Sequence, residues 1–273
     1  MDHSKLNRLK EYLKEKGSVA VAFSAGVDST FLLKVAHDTL GDACIAITGM
    51  SQVVPVREKQ EAEAFCRKEG IRQIPFVSHE LEDERFAANP GNRCYICKHI
   101  LFSGMLQLAQ ENGMHYLAEG SNVDDLGDYR PGLKAIEELG ILSPLREAGL
   151  TKQEIRDYSK ELDLPTWNKP SFACLASRFV YGEHITAEKL KMVEEAEILL
   201  SQLGLYQYRV RIHGNVARIE ASPEDFPVLL NEDNRTRIVK RFKEIGFSYI
   251  SLDLQGYRTG SMNEALPADS RGK

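Results

Sequence analysis

Apolar positions along the chain follow two alternating rhythms. Leu6, Leu9, Tyr12 and Leu13 recur at helical spacing, and Gly17 ends that run. Val19-Ala20-Val21-Ala22-Phe23 then continues without a polar break, as in a strand covered on both faces of a parallel sheet. The same reading predicts helix over 31–40, strand over 44–48, helix over 56–68 and strand over 71–77. Helix over 99–111, strand over 115–118, a short strand over 141–145 and helix over 152–162 follow. Strands separated by helices imply right-handed crossovers, so the predicted class is α/β with a doubly wound parallel sheet.

After the proline-punctuated stretch Pro165-Thr166-Trp167-Asn168-Lys169-Pro170 the rhythm changes. A long helix over 187–203 precedes strands over 206–212 and 216–221, which His213-Gly214-Asn215 joins as a hairpin, then another helix and a last strand. We expect an α/β domain over 1–170, a smaller C-terminal α+β domain over 183–273, and a linker over 165–183.

A length of 273 residues fits two domains, and 42% hydrophobic with 27% charged residues is a globular composition. The net charge of -5 argues against a broad nucleic-acid-binding surface. No signal-peptide pattern and no run of 18 apolar residues is present, so a cytoplasmic protein without membrane or nucleic-acid partners is expected. An odd number of cysteines, five, without a secretory signal points to reduced thiols.

The first strand runs into Phe23-Ser24-Ala25-Gly26-Val27-Asp28-Ser29-Thr30 and directly into an apolar helix. Backbone N–H groups at a helix N-terminus, small residues and two hydroxyls suit a phosphate. Helix capping by Asp28, Ser29 and Thr30 is the competing account, and the position after the first buried strand favours phosphate. Neither G-x-x-x-x-G-K-[ST] nor G-x-G-x-x-G is present. The segment resembles the S-G-G-x-D-S loop of the N-type ATP pyrophosphatases of the PP-loop superfamily, which cleave ATP between the α and β phosphates. That resemblance implies that Ser24, Ala25, Gly26, Val27, Asp28 and Ser29 surround the pyrophosphate and its Mg2+. Ala25 replaces the usual second-position glycine. If that position needs a positive φ, alanine costs about 1 kcal/mol there. A second block, Glu119-Gly120-Ser121-Asn122, follows the strand at 115–118 and fits the sheet's carboxyl edge, so Gly120 and Asn122 are expected to close the nucleotide site. Arg130, in Asp128-Tyr129-Arg130-Pro131-Gly132, sits either in a simple turn before a helix or against ATP, the adenylate or an acidic substrate.

Cys44 and Cys66, inside a predicted strand and helix, read as small buried hydrophobes. Cys94-Tyr95-Ile96-Cys97 occupies a loop leading to a helix, and Cys174 lies far off in sequence. Three accounts compete for these: buried packing, structural zinc, which wants a fourth ligand, and a 4Fe-4S cluster with one iron lacking a protein ligand.

Taken together, the phosphate loop, residues 128–132, Trp167-Asn168-Lys169, residues 174–179, Tyr208-Arg209-Val210-Arg211 and Leu252-Asp253-Leu254-Gln255-Gly256-Tyr257-Arg258 resemble the LarE family. These are ATP-dependent sulfur transferases of nickel-pincer nucleotide synthesis for lactate racemase. The resemblance implies adenylation of a carboxylate of a pyridinium dicarboxylate mononucleotide and its conversion to a thiocarboxylate, with release of AMP and pyrophosphate. Some members sacrifice one cysteine near the position of Cys174; the three-cysteine members use a 4Fe-4S cluster, implying catalytic and metal-ligating roles for Cys94, Cys97 and Cys174. Alternation along strand 206–212 puts Arg209 and Arg211 on one face, a solvated face or a phosphate grip. By the resemblance they hold the substrate phosphate, with Glu197 orienting them and Ser177 and Arg178 also at the substrate, and the chain forms a homo-oligomer. Two other readings fit parts of the pattern: a tRNA thiolase of the same superfamily, and a non-catalytic nucleotide-binding protein with structural zinc.

Overall fold

The computed structural model describes residues 3–127, 131–170, 173–258 and 260–262. In chain order the helices are α1 (Ser4–Lys16), α2 (Val27–Leu40), α3 (Val56–Glu69), α4 (Glu84–Ala87), α5 (Arg93–Glu111) and α6 (Pro131–Glu138). They continue with α7 (Pro144–Glu147), α8 (Lys152–Glu161), α9 (Ala187–Gln202), α10 (Phe226–Leu230) and α11 (Glu232–Ile245). The strands are β1 (Val19–Ala22), β2 (Cys44–Gly49), β3 (Gln73–Phe76), β4 (Tyr116–Ala118), β5 (Tyr208–His213), β6 (Val216–Ala221) and β7 (Tyr249–Leu252). No helix among the described residues is long and apolar enough to cross a membrane.

The chain divides into two compact units, the first made of residues 1–80 and 94–172, the second of 81–93 and 173–273. The excursion of residues 81–93 into the second unit is absent from the sequence-based division, because only long-range contacts reveal it.

The first unit carries an all-parallel sheet in the order β3-β2-β1-β4. Each β1 residue faces one of two cores, as the alternation of strand side chains requires. Val19 and Val21 pack with Leu9 and Leu13 of α1, Phe31 and Leu32 of α2, Phe65 of α3 and Ile155 of α8. Ala20, Ile45, Ile47 and Leu117 pack on the other side with Phe102 and Met105 of α5 and Ile136 of α6. Helices thus cover both faces, and the sheet is doubly wound as the hydrophobic rhythm predicts. After β3 the chain returns through α5 to place β4 on the far side of β1. The loops after β1 and β4 consequently diverge at a topological switch point, where such sheets hold their ligands.

One expected strand is corrected. Over 141–145 only Leu142 pairs, bridging to Ala118, and α7 begins at Pro144. A proline at the first helical position has no N–H to give a ladder and a φ suited to a helix.

In the second unit β5 and β6 form an antiparallel hairpin, and β7 adds parallel to β6. Gly214 makes the turn at φ 60°, and its N–H donates to Glu183 at 3.1 Å. Helix α9 packs against β5 and α11 against α9. Residues 81–93 are tied in by hydrogen bonds from Ile185 N–H to Ala87 O (2.8 Å) and from Gly182 N–H to Asn89 O (2.9 Å).

Candidate active site

The loop leaving β1 is built by its own hydroxyls. Ser24 Oγ and Ser29 Oγ lie 3.1 Å apart, Ser29 Oγ donates to Gly26 O at 3.2 Å, and Ser24 N–H donates to Ser29 Oγ at 3.3 Å. Gly26 is the residue before α2, so the N–H groups of Val27, Asp28 and Ser29 fall on the first helical turn, where no intrahelical carbonyl can accept them. Partial positive charge gathers there without any ionised side chain. Ala25 is buried and stands at φ 55°, the left-handed region that the glycine usual at this position would adopt freely. Its strain is about 1 kcal/mol.

Lys169 holds this turn from behind. Its Nζ donates to Ala25 O at 2.9 Å and to Glu58 and Glu61 at 2.6 Å each, and the residue is 8% exposed. Burial pushes the Glu58 carboxyl up, and the Lys169 hydrogen bond and charge only partly oppose it. Burial also works against ionisation of Glu61, yet hydrogen bonds from Lys169 and Arg57 outweigh it and bring that carboxyl below its ordinary value. The backbone of Lys169 is itself fixed, because Arg156 of α8 donates to Lys169 O at 2.9 Å and to Trp167 O at 2.7 Å.

The loop after β4 closes against the first. A Cβ on Gly120 would stand 3.0 Å from Ser29 N and 3.2 Å from Asp28 Cβ, so glycine permits the two backbones to meet. Asn122 Nδ2 donates to Asp28 Oδ1 at 3.2 Å, and Lys152 at the start of α8 donates to Asp28 Oδ2. Beside them the buried Glu119 carboxylate accepts from Ser121 Oγ at 2.8 Å and Ser143 Oγ at 2.6 Å. Ser24, Ala25, Gly26, Val27, Asp28, Ser29, Gly120 and Asn122 are therefore brought together. Arg130 lies outside the described residues. Lys152 was not singled out by the sequence, although Thr151 and Glu154 around it form a capping box that marks the helix start. Lys169 belongs to a recognised segment that by itself assigns no role to the lysine.

Helix α5 begins at Arg93, six residues before the sequence pattern predicts, so Cys94 and Cys97 are its second and fifth residues rather than part of a loop. Three residues apart, they share a helix face. Cys94 is exposed and Cys97 half-buried. Cys174, half-buried, precedes a short 3-10 turn (Leu175–Arg178) in the second unit. Cys44 and Cys66 are buried, and burial pushes both thiols up to about 12, consistent with packing alone. Among the described residues no group of three His, Cys, Asp or Glu side chains is placed to hold a metal ion. The chemistry of the Cys94 and Cys97 pair nevertheless fits two thiolate ligands of a metal group.

The second unit gathers buried guanidinium groups beside β5. Arg178, 0% exposed, forms a two-pronged pair with Glu197 at 2.9 Å on both prongs and donates to Ala173 O, Cys174 O and Ser177 Oγ. Burial opposes its charge, but Glu197 more than compensates. Glu197 also accepts from Val210 N–H at 3.0 Å. It thus binds both Arg178 and the β5 backbone. Arg211 donates to Glu220 at 2.8 and 3.0 Å, to Ser177 O at 2.9 Å and to Ser261 Oγ at 3.1 Å. Arg209 donates to Tyr208 O at 2.6 Å and its guanidinium lies 5.1 Å from the centre of the Tyr257 ring. At 3% and 5% exposure, Arg209 and Arg211 do not form a solvated face. Burial, with the charge of Arg178 next, pushes the Arg209 guanidinium down.

Comparison with known proteins bears on both units, although no protein-family model matches the chain. A glutamine-hydrolyzing GMP synthase chain of Pyrococcus furiosus is 27% identical over 72% of the chain and 67% of its own length. An uncharacterized protein of Synechocystis sp. is 43% identical over 97% of the chain and 99% of its own length. The pyridinium-3,5-bisthiocarboxylic acid mononucleotide synthase of Lactiplantibacillus plantarum is 37% identical over 93% of the chain and 92% of its own length. Identity sustained through both units places the whole chain, phosphate loop and arginine cluster together, in the LarE family, to which it belongs.

Proposed function

We propose that the chain is an ATP-dependent sulfur transferase that converts a carboxylate of a pyridinium-3,5-dicarboxylate mononucleotide into a thiocarboxylate. The observation that carries this reading is the hydroxyl-lined, helix-capped turn of residues 24–29, set at the switch point of a doubly wound sheet. Its backbone donors suit the β and γ phosphates of ATP. Asp28 offers a carboxylate for Mg2+, which keeps one or two protein carboxylates and completes its sphere with phosphate oxygens and water.

In the first step an oxygen of the substrate carboxylate attacks the α phosphorus, and the bond to the bridging oxygen of the β phosphate breaks. The α2 N-terminus stabilises the charge arriving on the departing pyrophosphate. In the second step a sulfur nucleophile adds to the activated acyl carbon and AMP departs. Cys94, Cys97 and Cys174 would hold a 4Fe-4S cluster, which supplies the sulfur when bound. The substrate phosphate goes to the buried arginines.

Anaerobically reconstituted protein, given ATP, Mg2+ and the pyridinium dicarboxylate nucleotide, is expected to form AMP and thiolated product; absence of that product by mass spectrometry rejects the reading. Iron and sulfide analysis of Cys94→Ala, Cys97→Ala and Cys174→Ala tests the ligand set, because each is expected to lose the cluster's visible absorption.

A further inference from the structure

We infer that Lys169 is a positioning residue for the phosphate loop: by binding Ala25 O it holds a non-glycine residue in the left-handed turn and aims the Gly26 N–H at the phosphate. The inference rests on the reading of residues 24–29 as an ATP loop.

The geometry follows from the peptide group itself. In a trans peptide the C=O and the following N–H point in opposite directions. Lys169 Nζ, 2.9 Å from Ala25 O, therefore fixes the Gly26 N–H on the opposite side of the peptide plane. A glycine at position 25 would populate φ 55° unaided, whereas alanine resists it. The contact that restrains it is charge-assisted, and such hydrogen bonds exceed neutral ones in strength. Lys169 is not a surface side chain that happens to reach the loop. It is buried, flanked by Glu58 and Glu61 of α3, and its main chain is pinned through Arg156 to α8. Two helices of the first unit thereby converge on a single carbonyl of the loop. The carboxylates keep the ammonium in place, and the ammonium keeps the loop in a conformation its own sequence disfavours.

The test is a mutant cycle read by calorimetric titration with Mg-ATP. Lys169→Met is expected to weaken ATP binding about tenfold, a change of about 1.4 kcal/mol. In the Ala25→Gly background the same substitution is expected to cost threefold or less, because glycine removes the strain that the lysine opposes. A general packing role would not be relieved by a substitution at Ala25. Should Lys169→Met fail to fold, the triple variant Glu58→Gln, Glu61→Gln, Lys169→Met removes the stranded carboxylates and is read in its place. Unchanged ATP affinity on loss of the lysine, or an equal loss with and without Ala25→Gly, overturns the inference. Ser29→Ala separates the two levels: if it weakens ATP while Lys169→Met does not, the ATP loop stands and the lysine's role falls. Failure of the wild-type protein to bind ATP removes both.

Discussion

On the proposed reading the two units would receive anions in different ways. The first presents backbone N–H groups at the start of α2, with hydroxyls and a strained alanine shaping the turn. Its attraction is a fractional charge that needs no counter-ion when the site is empty. The second presents whole guanidinium charges, buried and already matched with Glu197 and Glu220. Its attraction is stronger per group, but each charge requires a partner at all times. A loop of the first kind is tuned by backbone conformation, and a cluster of the second kind by charge balance. Substitutions should therefore fail differently: by lost ligand affinity in the first unit, and by lost folding at the carboxylate-paired arginines of the second.

The largest expected effect is on the buried pair. Arg178→Met strands the Glu197 carboxylate and should destabilise the second unit by about 3–5 kcal/mol, visible as a separate early transition in denaturant unfolding. A variant as stable as wild type would show that the arginine cluster is not an obligatory charge network. Next comes Arg209→Ala, expected to raise KM for the nucleotide substrate about 10- to 150-fold, the equivalent of one charge-assisted hydrogen bond of about 1.5–3 kcal/mol, with ATP affinity unchanged. Parallel loss of both affinities would dissolve the division of labour. Gly120→Ala should act on the first unit alone, weakening ATP about 5- to 50-fold because a Cβ would press on Ser29 N at 3.0 Å. Equilibrium ATP titration beside a thermal melt checks that affinity falls more than stability.

The smallest effect concerns pH. Burial, with Arg218 next, holds the His213 imidazole below its ordinary 6.5. The unfolded chain then takes up the proton first as pH falls, so His213 adds stability above pH 6.5 that is lost progressively below it. His213→Gln should flatten that dependence by about 2 °C in Tm between pH 7.5 and 5.5, measured by calorimetry. The residue is exposed, and solvent screening keeps the effect small.

Much of this was legible in the chain. The run from Val19 to Phe23 ending in Ser24 locates the phosphate loop, because a strand buried on both faces and a helix start leave strong local patterns. Arg209 and Arg211 are also found by simple alternation. The start of α5 was hidden because Cys94 is exposed and the first turn shows no apolar repeat after Pro90-Gly91. Glu197 as the partner of Arg178, and Lys169 as the partner of Ala25, Glu58 and Glu61, belong to another category. Those pairs join residues 19 to 144 positions apart, and no local periodicity encodes them.

The excursion of residues 81–93 sets how this protein can be taken apart. The chain passes between the units at 80/81, 93/94 and 172/173, so a nick at 172/173 still leaves residues 81–93 of the second unit on the strand that carries the first. The contiguous fragment 173–273 lacks part of the second unit: without Ala87 and Asn89, the Ile185 and Gly182 N–H groups lose their acceptors. A fragment that behaves would carry 81–93 fused ahead of 173 through a short designed linker, an internal excision of 94–172 rather than a terminal truncation.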